Sequence, residues 1–317
     1  MVCSGAAGMS GRLLQASTRA IVTRTVRNPF EESPAETPDE ELLSRAQSGD
    51  AQALESLLVR HQPWIFNIAL RVLANRPNAE DATQEILIKV LKALPSFRKE
   101  SKFRTWLYRI AVNHVLNMKK GKWAASEPVC SFADAAGGLR KTPDLDTPDP
   151  RTIPVPIDIL IEETKISCMV GTLLCLDGRQ RLVFILGEVF GVSDDVGGEI
   201  VGVSPANFRQ ILSRARRDLY EYLRGNCSLV KPDNSCKCVK KTRAFIQGGF
   251  VDPQKLQFTR GYQRKVREVA QERADELADV YMRVAASVYR NHPFYEPSEQ
   301  AAMLRRALEK VSLGPPE

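Results

Sequence analysis

The chain has 317 residues, 45 Lys+Arg against 38 Asp+Glu, a net charge of +7, a sequence pI near 9.0 and 43% hydrophobic residues. At roughly 150 residues per domain, that length predicts two folding units with tails. No stretch approaches the ~18 uninterrupted apolar residues of a membrane span, because even "RLVFILGEVFGV" begins with Arg181 and is broken by Glu188, so no membrane is expected as a partner.

Residues 1–38 carry Arg12, Arg19, Arg24 and Arg27 with no acid before Glu31 and lack the long apolar core of a secretory signal. They read as a disordered tail or as sequence upstream of the true start. Residues 39–123 read as helix punctuated by short turns. Apolar residues recur at three- and four-residue spacing through Leu42, Leu43 and Ala46, then Leu54, Leu57 and Leu58, then Ile65, Ile68, Ala69 and Val72. Residues 124–157 lose that period and gather Pro128, Pro143, Pro148, Pro150, Pro154 and Pro156, the composition of a flexible linker. Helical spacing resumes over 158–224 as a second unit, and residues 225–317 form an extension with a cysteine cluster and two further amphipathic segments. The expected fold is all-α, with two helical domains on a flexible linker and a mostly helical C-terminal extension.

Three histidines, His61, His114 and His292, stand far apart, and no GxxxxGK[ST], strand-following GxGxxG or HExxH string is present. The usual signatures of nucleotide hydrolysis, dinucleotide binding and zinc proteolysis are missing, and the chain reads as a non-enzyme. Seven cysteines, an odd number widely spread, fit a reducing cytoplasm better than a secreted disulfide framework.

Positive charge is concentrated between Lys89 and Lys122, where ten cations face the single acid Glu100. Such a density repels itself unless a polyanion relieves it, and the interleaved Phe97, Phe103, Trp106 and Tyr108 offer planar faces for unpaired bases. Single-stranded nucleic acid is one ligand that fits; a solvated basic face over buried aromatics is the other reading. Just upstream, Asp81, Gln84 and Glu85 fall three and four residues apart and share one helix face, with Ile86, Val90 and Leu94 on the core side. That face is either a docking surface or ordinary solvent-exposed helix.

In the second unit Ser204 suits an N-cap and Pro205 the first helical position. The helix they open has an inward stripe of Phe208, Ile211, Leu212, Ala215, Leu219 and Leu223. Its other face carries Asn207, Arg209, Gln210, Ser213, Arg214 and Arg217, which can reach base edges or phosphates in a major groove. The preceding "GVSDDVGGEIVGVS" supplies a short helix and a turn at Gly202, as in a helix-turn-helix. An arginine-rich surface helix without DNA is the plainer alternative.

Together the two units, about residues 39–224, resemble a bacterial extracytoplasmic-function sigma factor of the sigma-70 family. "LPSFRKESKFRTWLYRIAVNHVLNMKK" looks like that family's promoter-melting segment, "AEDATQEILIKVLKAL" its polymerase-binding helix, and "LLCLDGRQRLVFILGEVFGVS…VGVSPANFRQILSRARRDL" its upstream-element reader. The resemblance implies a cytoplasmic protein that binds core RNA polymerase through Asp81, Gln84 and Glu85. It implies that Phe97, Arg98, Lys99, Ser101, Lys102, Arg109 and Asn113 engage the −10 element as a single strand. Ser204, Asn207, Arg209, Gln210, Ser213, Arg214 and Arg217 would then face the −35 element as duplex. Residues 39–123 correspond to region 2 and 158–224 to region 4, and an anti-sigma factor is a candidate further partner. Two departures stand out. Lys99 occupies a position where the family commonly has Gly. Gly197, followed by Gly198, replaces a large apolar residue, at about 1 kcal/mol of helix propensity each, which predicts a weak or shifted helix. The alternatives to a sigma factor are a helix-turn-helix regulator acting without polymerase and a cysteine-based sensor.

The sigma reading requires no cofactor. In the extension, "NCSLVKPDNSCKC" places Cys227, Cys236 and Cys238 at a C-x8-C-x-C spacing, which suggests three thiolate ligands for zinc, with free structural cysteines or a redox switch as the competing readings.

Overall fold

The computed structural model describes residues 37–118 and 130–256. The N-terminal tail, residues 119–122 of the basic run and the amphipathic segments from residue 262 onward lie outside the described residues.

The first unit contains α1 (Asp39–Gln47), α2 (Ala51–Leu73), α3 (Arg76–Ala93) and α4 (Phe103–Asn117). Its boundaries follow local chemistry. The Asp50 carboxylate accepts from the amides of Gln52 and Ala53 at the start of α2, and the Asn75 side chain accepts from Asn78 N–H at the start of α3. Between them Ala74 turns the chain through the left-handed region at φ 51°. The apolar stripes predicted from spacing converge on one core, with Leu57, Ile65, Ile68, Val72, Ile86, Val90 and Leu107 essentially inaccessible to solvent.

The second unit contains α6 (Ile157–Leu173), α7 (Gly178–Phe184), α8 (Asp194–Val201) and α9 (Pro205–Asn226). One wide π-type turn, Ile185–Val189, prolongs α7. A short α10 (Cys238–Gln247) packs on α6. Among the described residues the only β feature is an isolated bridge between Cys227 and Cys236, so the fold is all-α as expected.

Two expectations need correction. The segment read as a flexible linker contains α5 (Phe132–Lys141), opened by a reciprocal capping box in which Ser131 and Asp134 satisfy each other's backbone amides. Proline content hid that box, because all the prolines lie outside residues 131–142. The chain after α5 is also held: Leu145 N–H donates to Lys240 O, Lys241 pairs with Asp144 at 3.0 Å and Lys240 with Asp146 at 3.1 Å, so α10 straps this stretch down. Secondly, α8 forms over Asp194–Val201 despite its two glycines. A Cβ at Gly197 would stand 2.5 Å from the Phe208 ring, and one at Gly198 would stand 2.8 Å from Val203 O. The two glycines therefore let α9 approach α8 closely, and burial of Phe208 in that gap offsets their low helix propensity.

The buried apolar residues of the two units run together into one cluster. Trp64 of α2 meets Phe190 edge to face at 5.2 Å, and the Arg71 guanidinium lies 5.5 Å over the same ring. Arg181 of α7 is buried and donates to Leu173 O, Leu174 O and Leu176 O in its own unit and to Val72 O of α2 at 2.6 Å. All four acceptors are main-chain oxygens, and burial, ahead of the opposing influence of Asp177, Cys175 and Cys130, lowers its pKa to about 10. Finally α4 packs against α8.

Candidate nucleic-acid interface

On α3, Ile86 and Val90 point into the core, while Asp81 and Glu85 are exposed and Gln84 is half-buried. The 3.6-residue repeat places these three on the solvent side, as the spacing requires. Glu85 also faces α4: its carboxylate lies 3.4 Å from His114 Nε2, and His114 Nδ1 receives the Lys89 ammonium at 2.6 Å. Burial first, then the Lys89 charge, lowers the His114 pKa, so the ring is neutral and accepts at Nδ1.

The loop between α3 and α4 begins with a short 3-10 turn, Leu94–Ser96, and is anchored by Gln47, whose amide donates to Leu94 O at 3.0 Å and to Phe97 O at 3.1 Å. Phe97 is not a free stacking face. It is buried, with its ring 4.8 Å from Trp106 and 6.0 Å from Phe103, so it forms the floor beneath the loop. Arg98, Lys99 and Lys102 are exposed above it and Ser101 is half-buried. Lys99 adopts φ 59°, the left-handed region that glycine enters without a Cβ penalty. The loop thus keeps a glycine-like backbone while adding a cation.

Not every cation of the basic run is available. Arg104 is buried and pairs with Asp39, the residue that also receives His61 Nε2 at 3.0 Å and the Arg60 guanidinium. Sequence spacing could not reveal this because the partners lie 65 residues apart. Arg109 and Asn113 are exposed on one side of α4, and Arg109 reaches Glu199 of α8 at 3.0 Å.

In the second unit α8, the left-handed Gly202 at φ 74° and α9 form the helix-turn-helix. Ser204 accepts from Asn207 N–H at 3.2 Å and so caps α9. Phe208, Leu212, Ala215, Leu219 and Leu223 are buried, Ile211 is half-buried, and Ser204, Asn207, Arg209, Gln210, Ser213, Arg214 and Arg217 are all exposed. Arg209 pairs with Asp194 and Arg217 lies 3.2 Å from Asp218. Arg216, between them, turns inward to the buried Glu188 and supports the helix. Neither Glu188 nor Arg181 was selected from the sequence, since each acts through a contact with another helix.

In the extension, Cys227 and Cys236 share the backbone bridge and Cys238 begins α10. Burial raises the thiol pKa of all three. Among the described residues no group of three or more His, Cys, Asp or Glu side chains is arranged to hold a metal ion.

A helix-turn-helix with an exposed arginine face, beside a helical unit with a cationic loop over an aromatic floor, defines a bipartite nucleic-acid reader. Comparison with known proteins places it. The Sigma-70 region 2 family profile matches residues 57–125. The RNA polymerase sigma-H factor of Pseudomonas aeruginosa is 31% identical over 129 residues, covering 40% of this chain and 67% of that protein. The ECF RNA polymerase sigma-E factor of Escherichia coli K12 is 29% identical over 184 residues, 56% of this chain and 90% of that one. Among solved structures, CnrH in complex with the cytosolic domain of CnrY aligns with a TM-score of 0.41 at 21% identity, over 58% of this chain and 96% of that chain. The chain belongs to the sigma-70 family, in its extracytoplasmic-function branch, and is an RNA polymerase sigma factor directing transcription initiation.

Proposed function

We propose that the first unit docks on core RNA polymerase through the α3 face of Asp81, Gln84 and Glu85. In the same unit, Arg98, Lys99, Ser101 and Lys102 over the Phe97 floor, with Arg109 and Asn113, capture the opened −10 strand. The α9 row from Ser204 to Arg217 reads the −35 duplex. The observation that carries this reading is the division of α9, whose apolar stripe is covered while every residue of the predicted row faces solvent.

The energetics are adequate without a nucleotide-driven step. Extruding a base costs a few kcal/mol, and phosphate contacts from the exposed Arg98, Lys99 and Lys102 above the Phe97 floor supply binding energy toward that cost. The polymerase provides the chemistry, and this chain contributes binding energy and needs no cofactor. No described helix is long and apolar enough to cross a membrane. A cytoplasmic location beside the polymerase and regulation by an anti-sigma factor belong to the same reading.

Run-off transcription with purified core polymerase on a genomic promoter library is the decisive test. Specific initiation dependent on the added protein is expected, and DNA binding without initiation would instead favour a regulator acting without polymerase. Arg214→Ala should weaken −35 binding across salt concentrations and reduce the salt slope by about one. An unchanged slope would remove Arg214 from the phosphate contacts.

A further inference from the structure

We propose that Cys130 and Cys175 are a reversible thiol–disulfide pair whose closure staples the segment entering α5 onto the turn between α6 and α7. Their sulfurs lie 3.3 Å apart although the residues are 45 positions apart in sequence. A disulfide requires about 2.05 Å, so closure needs little more than 1 Å of sulfur travel. Both backbones are fixed on either side of that contact. Cys130 immediately precedes the Ser131–Asp134 capping box, and Cys175 N–H donates to Thr172 O within the turn. All six described cysteines are free thiols, and among the described residues this is the one pair whose sulfurs touch.

The two thiols are unequal. Cys175 is buried and Cys130 half-buried. Burial, then the hydrogen bond to Cys130, pushes the Cys175 thiol up to about 12, while the Arg181 guanidinium acts in the opposite direction. The oxidant therefore meets Cys130. With a low-molecular-weight disulfide as oxidant, the Cys130 sulfur attacks one of its sulfurs. The mixed disulfide forms, and the first small thiolate departs with the Cys130 proton. Cys175 then attacks the Cys130 sulfur, and the second small thiolate departs with the Cys175 proton. Two protein thiols and one small disulfide become one protein disulfide and two small thiols.

The position of the staple gives it a consequence. The turn that holds Cys175 also presents Leu174 O and Leu176 O to Arg181, which reaches across to Val72 O of the first unit. Closure would fasten the chain between the units to the turn that already ties them together. In a reducing compartment the pair stays open, and it closes under oxidative load. The effect on transcription rests on the sigma-factor reading above; formation of the bond does not.

The test uses the full-length protein equilibrated in buffers of oxidised and reduced glutathione, blocked and digested with trypsin without reduction. Peptides 123–140 and 166–179 should become crosslinked and separate again with dithiothreitol. Since peptide 166–179 also contains Cys168, the assignment requires that Cys168→Ser keep the crosslink and Cys175→Ser abolish it. Uncrosslinked peptides under oxidation, or a link running through Cys168, would overturn the proposal. In run-off assays with core polymerase, oxidation should lower wild-type transcription at least several-fold and leave Cys130→Ser unaffected. A crosslink with unchanged transcription would overturn its effect on the units. Absence of transcription from the reduced protein would defeat the sigma reading and leave the crosslink result intact.

Discussion

At Gly197, helix propensity and tertiary packing give opposite answers. In an exposed helix, Gly→Ala gains up to about 1 kcal/mol. Here the new methyl would stand 2.5 Å from the ring of Phe208, which is itself almost fully buried. Overpacking of this kind costs roughly 1–3 kcal/mol, so Gly197→Ala should lower the melting temperature by several degrees, measurable by circular dichroism. The loop before α4 separates in a similar way. Phe97→Ala removes a buried ring, at about 3–5 kcal/mol for a fully buried one, and should lose promoter opening together with thermal stability. Arg98→Ala alters an exposed side chain and should impair permanganate-detected opening while the melting temperature holds. Equal thermal losses in both variants would place Arg98 in the scaffold. These distinctions were partly legible from sequence. The residue types and spacing picked out the loop and the α9 row and left open whether the loop's aromatics are buried, but did not reveal that Gly197 accommodates a ring eleven residues away.

At the level of whole elements, α1 depends on one carboxylate. Asp39, the first residue of α1, meets Arg60 and His61 from α2 and Arg104 from α4. Burial alone would raise its pKa, but hydrogen bonds from His61 and Arg104 and the Arg104 charge hold it well below the usual carboxylate range. Its stabilisation is therefore complete above the unfolded value of about 3.9 and is lost only as pH falls below that. His61 behaves differently. Burial lowers its pKa against the pull of Asp39, so the folded state holds it neutral while the unfolded chain takes up a proton below about 6.5. His114 is lowered as well. Stability should consequently be flat above pH 7 and decline from about pH 6.5 downward, by at most about 1.4 kcal/mol per pH unit for each histidine. Denaturant midpoints at stepped pH check this, and His61→Gln should flatten the decline; an equally steep curve in that variant would exclude His61 as its source. Helix positions and caps were readable because period and capping are local. This cluster was not, since its members span residues 39–104, and α5 was missed because composition was weighed over the whole linker while its capping box occupies four residues.

Across the whole molecule, the packed arrangement and the promoter impose incompatible distances. Packed helices lie about 8–10 Å apart, and α4, in the unit proposed to read the −10 element, rests on α8, in the unit proposed to read the −35 element. Elements centred 10 and 35 base pairs upstream are separated by about 25 base pairs, or about 85 Å of duplex at 3.4 Å per step. Both cannot be held at once until the units part. The sequence suggested two independent units because Trp64, Phe190 and Arg181 obey the same periodicity as each unit's own core, and nothing in that pattern marks them as shared. The packed state engages the two readers differently: the exposed Arg109 is tied across the units to Glu199, whereas Arg209 and Arg217 of the α9 row pair only within the second unit. Weakening the contact should therefore assist the first reader alone. Glu199→Arg replaces an exposed ion pair with like charges, a change of about 1 kcal/mol or less for the pair itself, which corresponds to a few-fold shift toward the separated form. The variant should show a larger radius of gyration by small-angle scattering and bind a promoter containing both elements a few-fold more tightly, with no change toward a −35 duplex alone. If affinity for the isolated −35 duplex rose equally, the new arginine would be contacting phosphate directly, and release of the α4–α8 contact would not be the cause.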